Sequence, residues 1–234
     1  MNDLLKVSGL WGGYTKGVDI LRGIDMTVRE GEAVGIIGLN GSGKSTLGKA
    51  IMNMIPFRKG TIEFNGEDVT SLPTHELARK GLSIMQQGGQ VFQNLSVWEN
   101  LEIASASASS LEQIKDIIPL LQRPKRDLQH QMADKLSGGQ KHELALAMAL
   151  AADPKLVILD EPSAGLSPKA VEEMYALLEK IRKRMKVTVV LIEQNVARAV
   201  NYCDCSVLLE MGEIVLTVQE RDIHMIENRM FFNL

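Results

Sequence analysis

Three short, predominantly apolar runs limit the possible folds of this chain more than any other feature. They lie at residues 33–37, 156–159 and 187–192. A continuous apolar run is typical of a strand that is buried on both faces, because a strand with one wet face alternates apolar and polar residues. Each run is followed by a helical pattern, and strands that alternate with helices form parallel sheets. The sequence therefore predicts an α/β fold with a mostly parallel sheet.

The N-terminal part of the chain predicts a different kind of strand. Residues 4–7 and 24–28 alternate apolar and polar side chains, which is typical of antiparallel strands with one exposed face. Residues 61–64 alternate in the same way and lead into Asn65-Gly66, a dipeptide that favours a tight hairpin. We therefore expect an antiparallel β subdomain near the N-terminus.

The middle of the chain, residues 97–152, has helical periodicity and no convincing strand. We predict a single domain of 234 residues in which this part is inserted as a helical subdomain over 88–152. The core would then comprise residues 1–87 and 153–234. Further predicted elements are strands at 81–85, 206–209 and 214–218 and helices at 45–54, 168–185 and 196–202.

Composition excludes several classes of protein. The chain is 45% hydrophobic and 24% charged, which is ordinary for a globular protein, and its net charge of −3 gives no basic field for nucleic acid. The longest apolar run, residues 144–152, is far shorter than the roughly 20 residues of a membrane helix. No signal peptide is predicted, and Cys203 and Cys205 are too close together to favour a disulfide. We expect a cytoplasmic protein with two reduced thiols.

A glycine-rich motif follows the first apolar run. Residues 38–46 read GLNGSGKST and fit the phosphate-binding pattern G-x-x-x-x-G-K-[ST]. The glycines allow backbone N–H groups to turn towards a phosphate, and the following helix adds the positive end of its dipole. Lys44 can reach the β- and γ-phosphates, and the Ser45 hydroxyl can bind Mg²⁺. The candidate nucleotide-binding residues are Gly38, Asn40, Gly41, Ser42, Gly43, Lys44, Ser45 and Thr46.

Two acidic residues end the second apolar run. Asp160 and Glu161 follow residues 156–159, and ligands bind at the carboxyl ends of strands in open α/β sheets. Asp160 suits a Mg²⁺ ligand that acts through water, and Glu161, pointing the other way along the strand, suits a general base. Two acids before Pro162 are also compatible with a simple helix cap and turn. The glycine-rich motif earlier in the chain favours the catalytic interpretation.

Residues 136–140 read LSGGQ, a string that chance alone seldom produces. Its simplest structural interpretation is a helix start, with Ser137 as the N-cap. With this string the chain resembles the ATP-binding subunits of ABC transporters over essentially its whole length. The resemblance implies a P-loop ATPase fold that uses ATP and Mg²⁺. It also implies that Ser137, Gly138, Gly139 and Gln140 contact ATP held by a second ATP-binding subunit.

The resemblance assigns roles to residues with weaker signals. Tyr14 stands where the family places an aromatic side chain that stacks on adenine, and Trp11 is the alternative. Gln87 matches the Q-loop glutamine, which senses Mg²⁺ and water and links to the membrane subunit, with Gln86 as the alternative register. Gln194 replaces the usual histidine of the switch region. We expect Glu161, Lys44, Gln194 and Gln87 to be catalytic, and Ser45, Gln87 and Asp160 to hold the metal.

The chain also departs from the common family pattern. Lys141-His142-Glu143 and Met148 stand where many members carry glutamine and arginine, so we expect different charge pairing around that helix. Ser167 stands where an aspartate is usual. Residues 221–234 match no ending of the family.

Several segments are similar to the branched-chain amino-acid transporter group, namely Phe92 with residues 95–101, residues 161–168 and residues 191–195. The resemblance implies an ATPase subunit at the cytoplasmic face of a membrane, paired with an identical or homologous ATP-binding subunit and with transmembrane permease subunits. Branched-chain or hydrophobic amino acids, or related small solutes, are the expected cargo, and Gln87 with residues 90–94 would relay closure to the permease. The alternatives are a non-transport ABC ATPase with a soluble partner and an ABC exporter subunit.

Overall fold

The computed structural model describes residues 2–219 together with Ile226. These residues fall into two units. One contains the residues up to Arg79 and those from Thr188 onward, and the other is Lys80–Val187. The subdomain bounds expected from the sequence stay a prediction.

The first unit holds an antiparallel sheet and a mostly parallel set of strands. Its strands are β1 (Asp3–Gly13), β2 (Leu21–Arg29), β3 (Ala33–Ile37), β4 (Phe57–Phe64), β5 (Glu67–Asp68), β8 (Thr188–Glu193), β9 (Cys205–Glu210) and β10 (Glu213–Gln219). The antiparallel sheet has the order β2-β1-β4-β5. In the other set, β3 pairs in parallel with both β8 and β9, and β10 is antiparallel to β9. The helices are α1 (Lys44–Ile51), α2 (Thr74–Lys80) and α8 (Val196–Tyr202).

The sequence pattern explains these strands. Burial alternates along most of β2, whereas all five residues of β3 are buried, so the two apolar patterns distinguish one-faced from two-faced strands. Asn65 and Gly66 both have positive φ, at 53° and 77°, and form the turn between β4 and β5 as predicted. The helix after the glycine-rich motif is shorter than the predicted span to residue 54. It ends at Ile51, because Asn53 adopts a left-handed backbone with φ 53°.

The second unit combines a parallel strand pair with helices. Its strands, β6 (Leu82–Met85) and β7 (Leu156–Asp160), pair in parallel. The helices are α3 (Val97–Ala104), α4 (Ala108–Lys115), α5 (Lys125–His130), α6 (Gly138–Ala151) and α7 (Pro168–Met185), with 3₁₀ turns at Pro119–Gln122 and Ala133–Lys135. Serine-based capping boxes begin α3, α4 and α6, which satisfies backbone donors at each helix start. The predicted helical middle of the chain is confirmed.

The chain therefore has the predicted α/β fold with an N-terminal antiparallel β subdomain and a helical segment between the two strands of a parallel pair. Cys203 and Cys205 are both buried thiols, as expected. Ile226 is fully buried against a cluster that includes Ile37 and Val200. The rest of the unmatched ending, residues 221–234, lies outside the described residues. Within the described ranges, no helix combines the length and the apolar character needed to cross a membrane.

Candidate ATP-binding and hydrolysis site

The glycine-rich motif connects β3 to α1, as the sequence predicts. Gly41 and Gly43 have φ values of 81° and 107°, a region that side-chain-bearing residues rarely adopt. At Gly38 the restriction is steric. A Cβ added there would lie 2.6 Å from Ser42 Oγ and would clash with the backbone oxygen of Leu209. The loop therefore needs glycine at these positions for its own conformation and packing.

This loop has the features that bind a phosphate. Lys44 Nζ donates to the carbonyl oxygens of Gly38 at 2.9 Å and Leu39 at 3.0 Å, which folds the ammonium group over the loop. α1 starts after Gly43 without a side-chain cap and without an acid in its first turn. Ser42 Oγ is buried and has no hydrogen-bond partner in the part of the chain that the structure describes. An uncapped helix start, a cation and an unpartnered hydroxyl fit an anionic triphosphate.

Tyr14 and Trp11, the two candidates for adenine stacking, differ in their surroundings. Trp11 lies within β1, and Lys59 Nζ is 4.8 Å from its ring centroid in a cation–π contact. Tyr14 follows the end of β1 and is 45% exposed. The exposed ring of Tyr14 is the better placed of the two to receive a ligand.

Gln194 lies directly beside the start of the glycine-rich loop. In the parallel pairing of β3 and β8, Glu193 is the partner of Ile37, so the residues that follow each strand leave the sheet next to each other. Gln194 is exposed, and Asn195 caps α8 by accepting a hydrogen bond from Arg198 N at 3.0 Å. The structure therefore brings Gln194 close to the loop that begins at Gly38.

Glu193 has a structural role that the sequence interpretation missed. It is 4% exposed, and its Oε2 accepts hydrogen bonds from the backbone N–H groups of Gln194 at 3.1 Å and Asn195 at 3.4 Å. The buried carboxylate thus fixes the backbone of Gln194. An acid at the carboxyl end of a buried strand, just before a helix start, was the signal that could have revealed this contact.

In the second unit, the two predicted acids do not both belong to the strand. Asp160 is the last residue of β7 and is 2% exposed. Glu161 follows the strand with a left-handed backbone, φ 47°, and is half-buried. The prediction that Glu161 continues the strand is wrong, because the change to positive φ redirects the chain at this residue.

Gln87 and Glu161 are in direct contact. Met85 and Leu159 are partners in the parallel pair β6–β7, so the segments that follow these two strands lie next to each other. Gln87 Nε2 donates to Glu161 Oε2 at 2.6 Å. This contact favours Gln87 over Gln86 as the residue that works with the strand-end acids.

The LSGGQ string begins α6 and caps its own helix. Ser137 Oγ accepts from Gln140 N at 3.3 Å, and Gln140 Oε1 accepts from Ser137 N at 3.0 Å. No atom lies within 4 Å of a Cβ added at Gly138 or Gly139, apart from the local chain. The string therefore presents an open glycine backbone at a positively polarised helix end, which suits an anion.

Glu143 lies farther along α6 and contacts a neighbouring turn, and the expected difference in charge pairing around this helix stays a prediction. Its Oε2 accepts a hydrogen bond from the backbone N–H of Leu120 at 2.9 Å, which anchors the Pro119–Gln122 turn to the helix. Burial raises the pKa of this carboxyl, and the nearby charge of Glu173 adds to the rise, while the bond from Leu120 opposes it.

Comparison with known proteins identifies the family. A family model described as ABC transporter matches residues 21–164. The chain belongs to the ABC transporter family. It is therefore an ATP-binding subunit of an ABC transporter, with the ATPase activity of that family.

Two relatives and one solved structure illustrate the range of similar proteins. A probable branched-chain amino acid transport ATP-binding protein, LivF, from Archaeoglobus fulgidus is 37% identical over 214 residues, covering 90% of each chain. The lipopolysaccharide export system ATP-binding protein LptB from Escherichia coli strain K12 is 31% identical over 211 residues, covering 86% of this chain and 84% of LptB. The structure of cbiO1 from Clostridium perfringens, part of the transporter complex cbiONQ, superimposes with a TM-score of 0.81 at 26% identity, covering 100% of this chain and 97% of cbiO1.

Proposed function

We propose that this ABC subunit hydrolyses Mg-ATP to drive the uptake of branched-chain or related hydrophobic amino acids. The observation that carries the cargo assignment is the match to LivF, at 37% identity over 90% of the chain. The segments at residues 161–168 and 191–195, which are similar to that transporter group, support it. Lipopolysaccharide export is the second candidate, because LptB matches 86% of the chain at 31% identity.

In this proposal, the glycine-rich loop holds the phosphates of ATP. Lys44 exchanges its contacts with the Gly38 and Leu39 carbonyls for phosphate oxygens, and Ser42 Oγ gains the partner that it lacks in the loop. Tyr14 stacks on the adenine. Mg²⁺ would be held by Ser45, Asp160 and Gln87, and it would supply charge neutralisation for the departing phosphate groups.

Hydrolysis needs a base and a donor to the γ-phosphate. Glu161 takes a proton from the attacking water, and Gln87 orients the Glu161 carboxylate through the 2.6 Å hydrogen bond. Gln194 donates its side-chain amide to a γ-phosphate oxygen, with its backbone fixed by Glu193. None of these steps requires Gln194 to change its protonation state.

The active assembly in this proposal contains two ATP-binding subunits. Each ATP lies between the glycine-rich loop of one subunit and Ser137–Gln140 of the other. The support is the start of α6, whose capping box satisfies its own donors while the glycine backbone stays uncovered. A second subunit with a bound triphosphate provides an anion that fits this helix end.

The second unit also offers a surface for a permease subunit at the cytoplasmic face of the membrane. A groove of about 430 Å³ runs beside the segment after β6 and is lined by uncharged residues, among them Gln86, Gln90, Phe92, Ala145 and Met148. Phe92 is 52% exposed. An apolar segment of a permease, presented with hydrogen-bonding groups for the two glutamines, fits this lining better than a charged one.

The test is reconstitution of the full chain with its permease subunits in liposomes that contain ATP. We expect ATP-dependent uptake of leucine, and its loss in a matched complex with Lys44→Ala. ATP hydrolysis that is stimulated by lipopolysaccharide and not by leucine would establish the second candidate. A complex stimulated by neither would overturn both cargo assignments.

A further inference from the structure

His142 is a buried titratable residue that the proposed mechanism does not use. It lies on α6 and is 6% exposed. Neither of its ring nitrogens has a hydrogen-bond partner in the described part of the chain. Buried polar groups in native proteins are nearly always hydrogen-bonded, so an exception of this kind calls for an explanation.

The imidazole packs against the turn that follows Gln87. Gly89 has φ 58°, and a Cβ added there would lie 2.7 Å from His142 Cδ2 and 3.2 Å from His142 Cα. Distances below 3.0 Å essentially never occur for real Cβ atoms. The ring therefore fills the space that any side chain at position 89 would occupy, and the backbone of Gly89 rests on it.

Gly88, the other glycine of the turn, has no comparable neighbour at its Cα. Gly88 also has positive φ, at 84°, and a Cβ added there would meet nothing within 4 Å. Two successive glycines give the backbone many accessible conformations. A turn of this kind takes its position from its contacts, and His142 supplies a close one.

The turn directly follows Gln87 in the chain. Gln87 precedes Gly88, and its amide reaches Glu161 at 2.6 Å. A small shift of the backbone at Gly89 moves Gln87, and a hydrogen bond this short does not survive a displacement of an ångström. The position of the His142 ring is therefore transmitted through one turn to the carboxylate proposed as general base.

We propose that His142 is a positioning residue for ATP hydrolysis. Its ring supports the Gly88-Gly89 turn and thereby holds Gln87 against Glu161. This inference rests on the part of the proposed function that makes Glu161 the base and Gln87 its partner, and it is independent of the transported cargo.

The experiment measures kcat and KM for Mg-ATP, together with thermal midpoints, in full-length wild type and four variants. These are H142A, H142Q, G89A and the double variant H142A/G89A. For H142A we expect kcat to fall about 10-fold with KM changed less than about 2-fold, since no ATP contact is removed. H142Q should stay within about 3-fold of wild type, because a planar amide of similar reach fills the same space.

The double variant separates support of the turn from general destabilisation. G89A alone should be slow, because the added methyl group meets the imidazole and because an alanine at φ 58° has a strained backbone. Removing the ring relieves the closest contact of that methyl group and leaves the backbone strain unchanged, so H142A/G89A should be at least about 3-fold faster than G89A. Lys141→Ala, on the same helix, is the matched control and should behave as wild type.

Three results would overturn the proposal. The first is H142A with wild-type kcat, and the second is additive effects of H142A and G89A. The third is a fall in kcat that merely follows the thermal midpoint and that H142Q does not rescue. If Glu161→Gln hydrolyses ATP at the wild-type rate, the proposed role of Glu161 has failed instead, which is a separate outcome.

Discussion

The side-chain amide of Gln87 donates a hydrogen bond to the carboxylate of Glu161, with 2.6 Å between Nε2 and Oε2. The bond joins the segments that follow two neighbouring parallel strands, β6 and β7. It fixes the orientation of a carboxylate that sits on a left-handed backbone just outside its strand. A general base needs such a fixed position relative to water, because proton transfer depends on hydrogen-bond geometry.

The first prediction concerns this pair. Glu161→Gln keeps the shape of the side chain and removes the base, so ATP binding should persist while turnover falls at least about 100-fold. Gln87→Ala should cause a smaller fall, since it only releases the carboxylate. Calorimetry measures ATP binding, and phosphate release measures turnover. In size-exclusion chromatography with ATP, Glu161→Gln should run as a dimer. Near-normal hydrolysis by Glu161→Gln would remove Glu161 from the mechanism.

The second prediction concerns Tyr14. If its exposed ring stacks on adenine, Tyr14→Phe should bind ATP as wild type does, and Tyr14→Ala should lose about 1–2 kcal/mol of binding free energy. Trp11→Phe is the matched control, because the Trp11 ring already contacts Lys59. Calorimetry at constant salt measures both effects. Unchanged affinity in Tyr14→Ala would leave Tyr14 as an ordinary surface aromatic.

Much of the fold could be predicted from the sequence because its elements have local signals. The bounds of α7 and α8 agree with those predicted, since a serine or asparagine cap begins each helix and the apolar spacing continues to its end. The helix after the glycine-rich loop is shorter than predicted, because nothing in the local pattern reveals that Asn53 turns left-handed.

The candidate site, like the fold, could be predicted from the sequence only in part. Motifs locate Lys44, Asp160, Glu161 and Ser137 without any structure. The supporting contacts join residues that the sequence pattern does not connect: Gly89 with His142, and Gln87 with Glu161. Such contacts depend on side-chain packing between distant segments, which periodicity and spacing do not describe.

The third prediction is a pH dependence of stability. Burial lowers the pKa of His142 from its ordinary value of 6.5. Between the lowered pKa and 6.5 the unfolded chain binds a proton that the folded chain does not, so the free energy of unfolding falls as the pH falls. The slope from this residue is at most about 1.4 kcal/mol per pH unit, and it fades to zero as the pH rises well above 6.5.

Urea unfolding midpoints of wild type and His142→Gln, followed from about pH 7.5 to 5 across the histidine range, test this prediction. The wild-type midpoint should fall more steeply than that of His142→Gln in the acidic half. Parallel curves would mean that His142 is protonated equally in the folded and unfolded chain. His130→Gln is the control, because His130 is exposed and should leave the steeper curve intact.

The fourth prediction concerns Gln194, where the chain departs from the usual histidine. Gln194 lies beside the glycine-rich loop, and Glu193 accepts a hydrogen bond from its backbone N–H. This position suits a side-chain amide that donates to the γ-phosphate. A hydrogen bond to a charged group contributes about 1.5–3 kcal/mol, so Gln194→Ala should lower turnover roughly 10- to 150-fold and retain ATP binding.

Glutamine does not titrate, so this residue should contribute no ionisation to the wild-type pH–rate profile under saturating Mg-ATP. Gln194→His should remain active and should acquire an ionisation between about pH 6 and 7. Glu193→Gln separately tests the hydrogen bond that Glu193 accepts from the Gln194 backbone N–H. The amide oxygen of the introduced glutamine still accepts this bond, so the variant should keep most of the wild-type rate. A Gln194→Ala protein as fast as wild type would show that the side chain has no part in hydrolysis, because the backbone turn that Glu193 holds is still present in that variant.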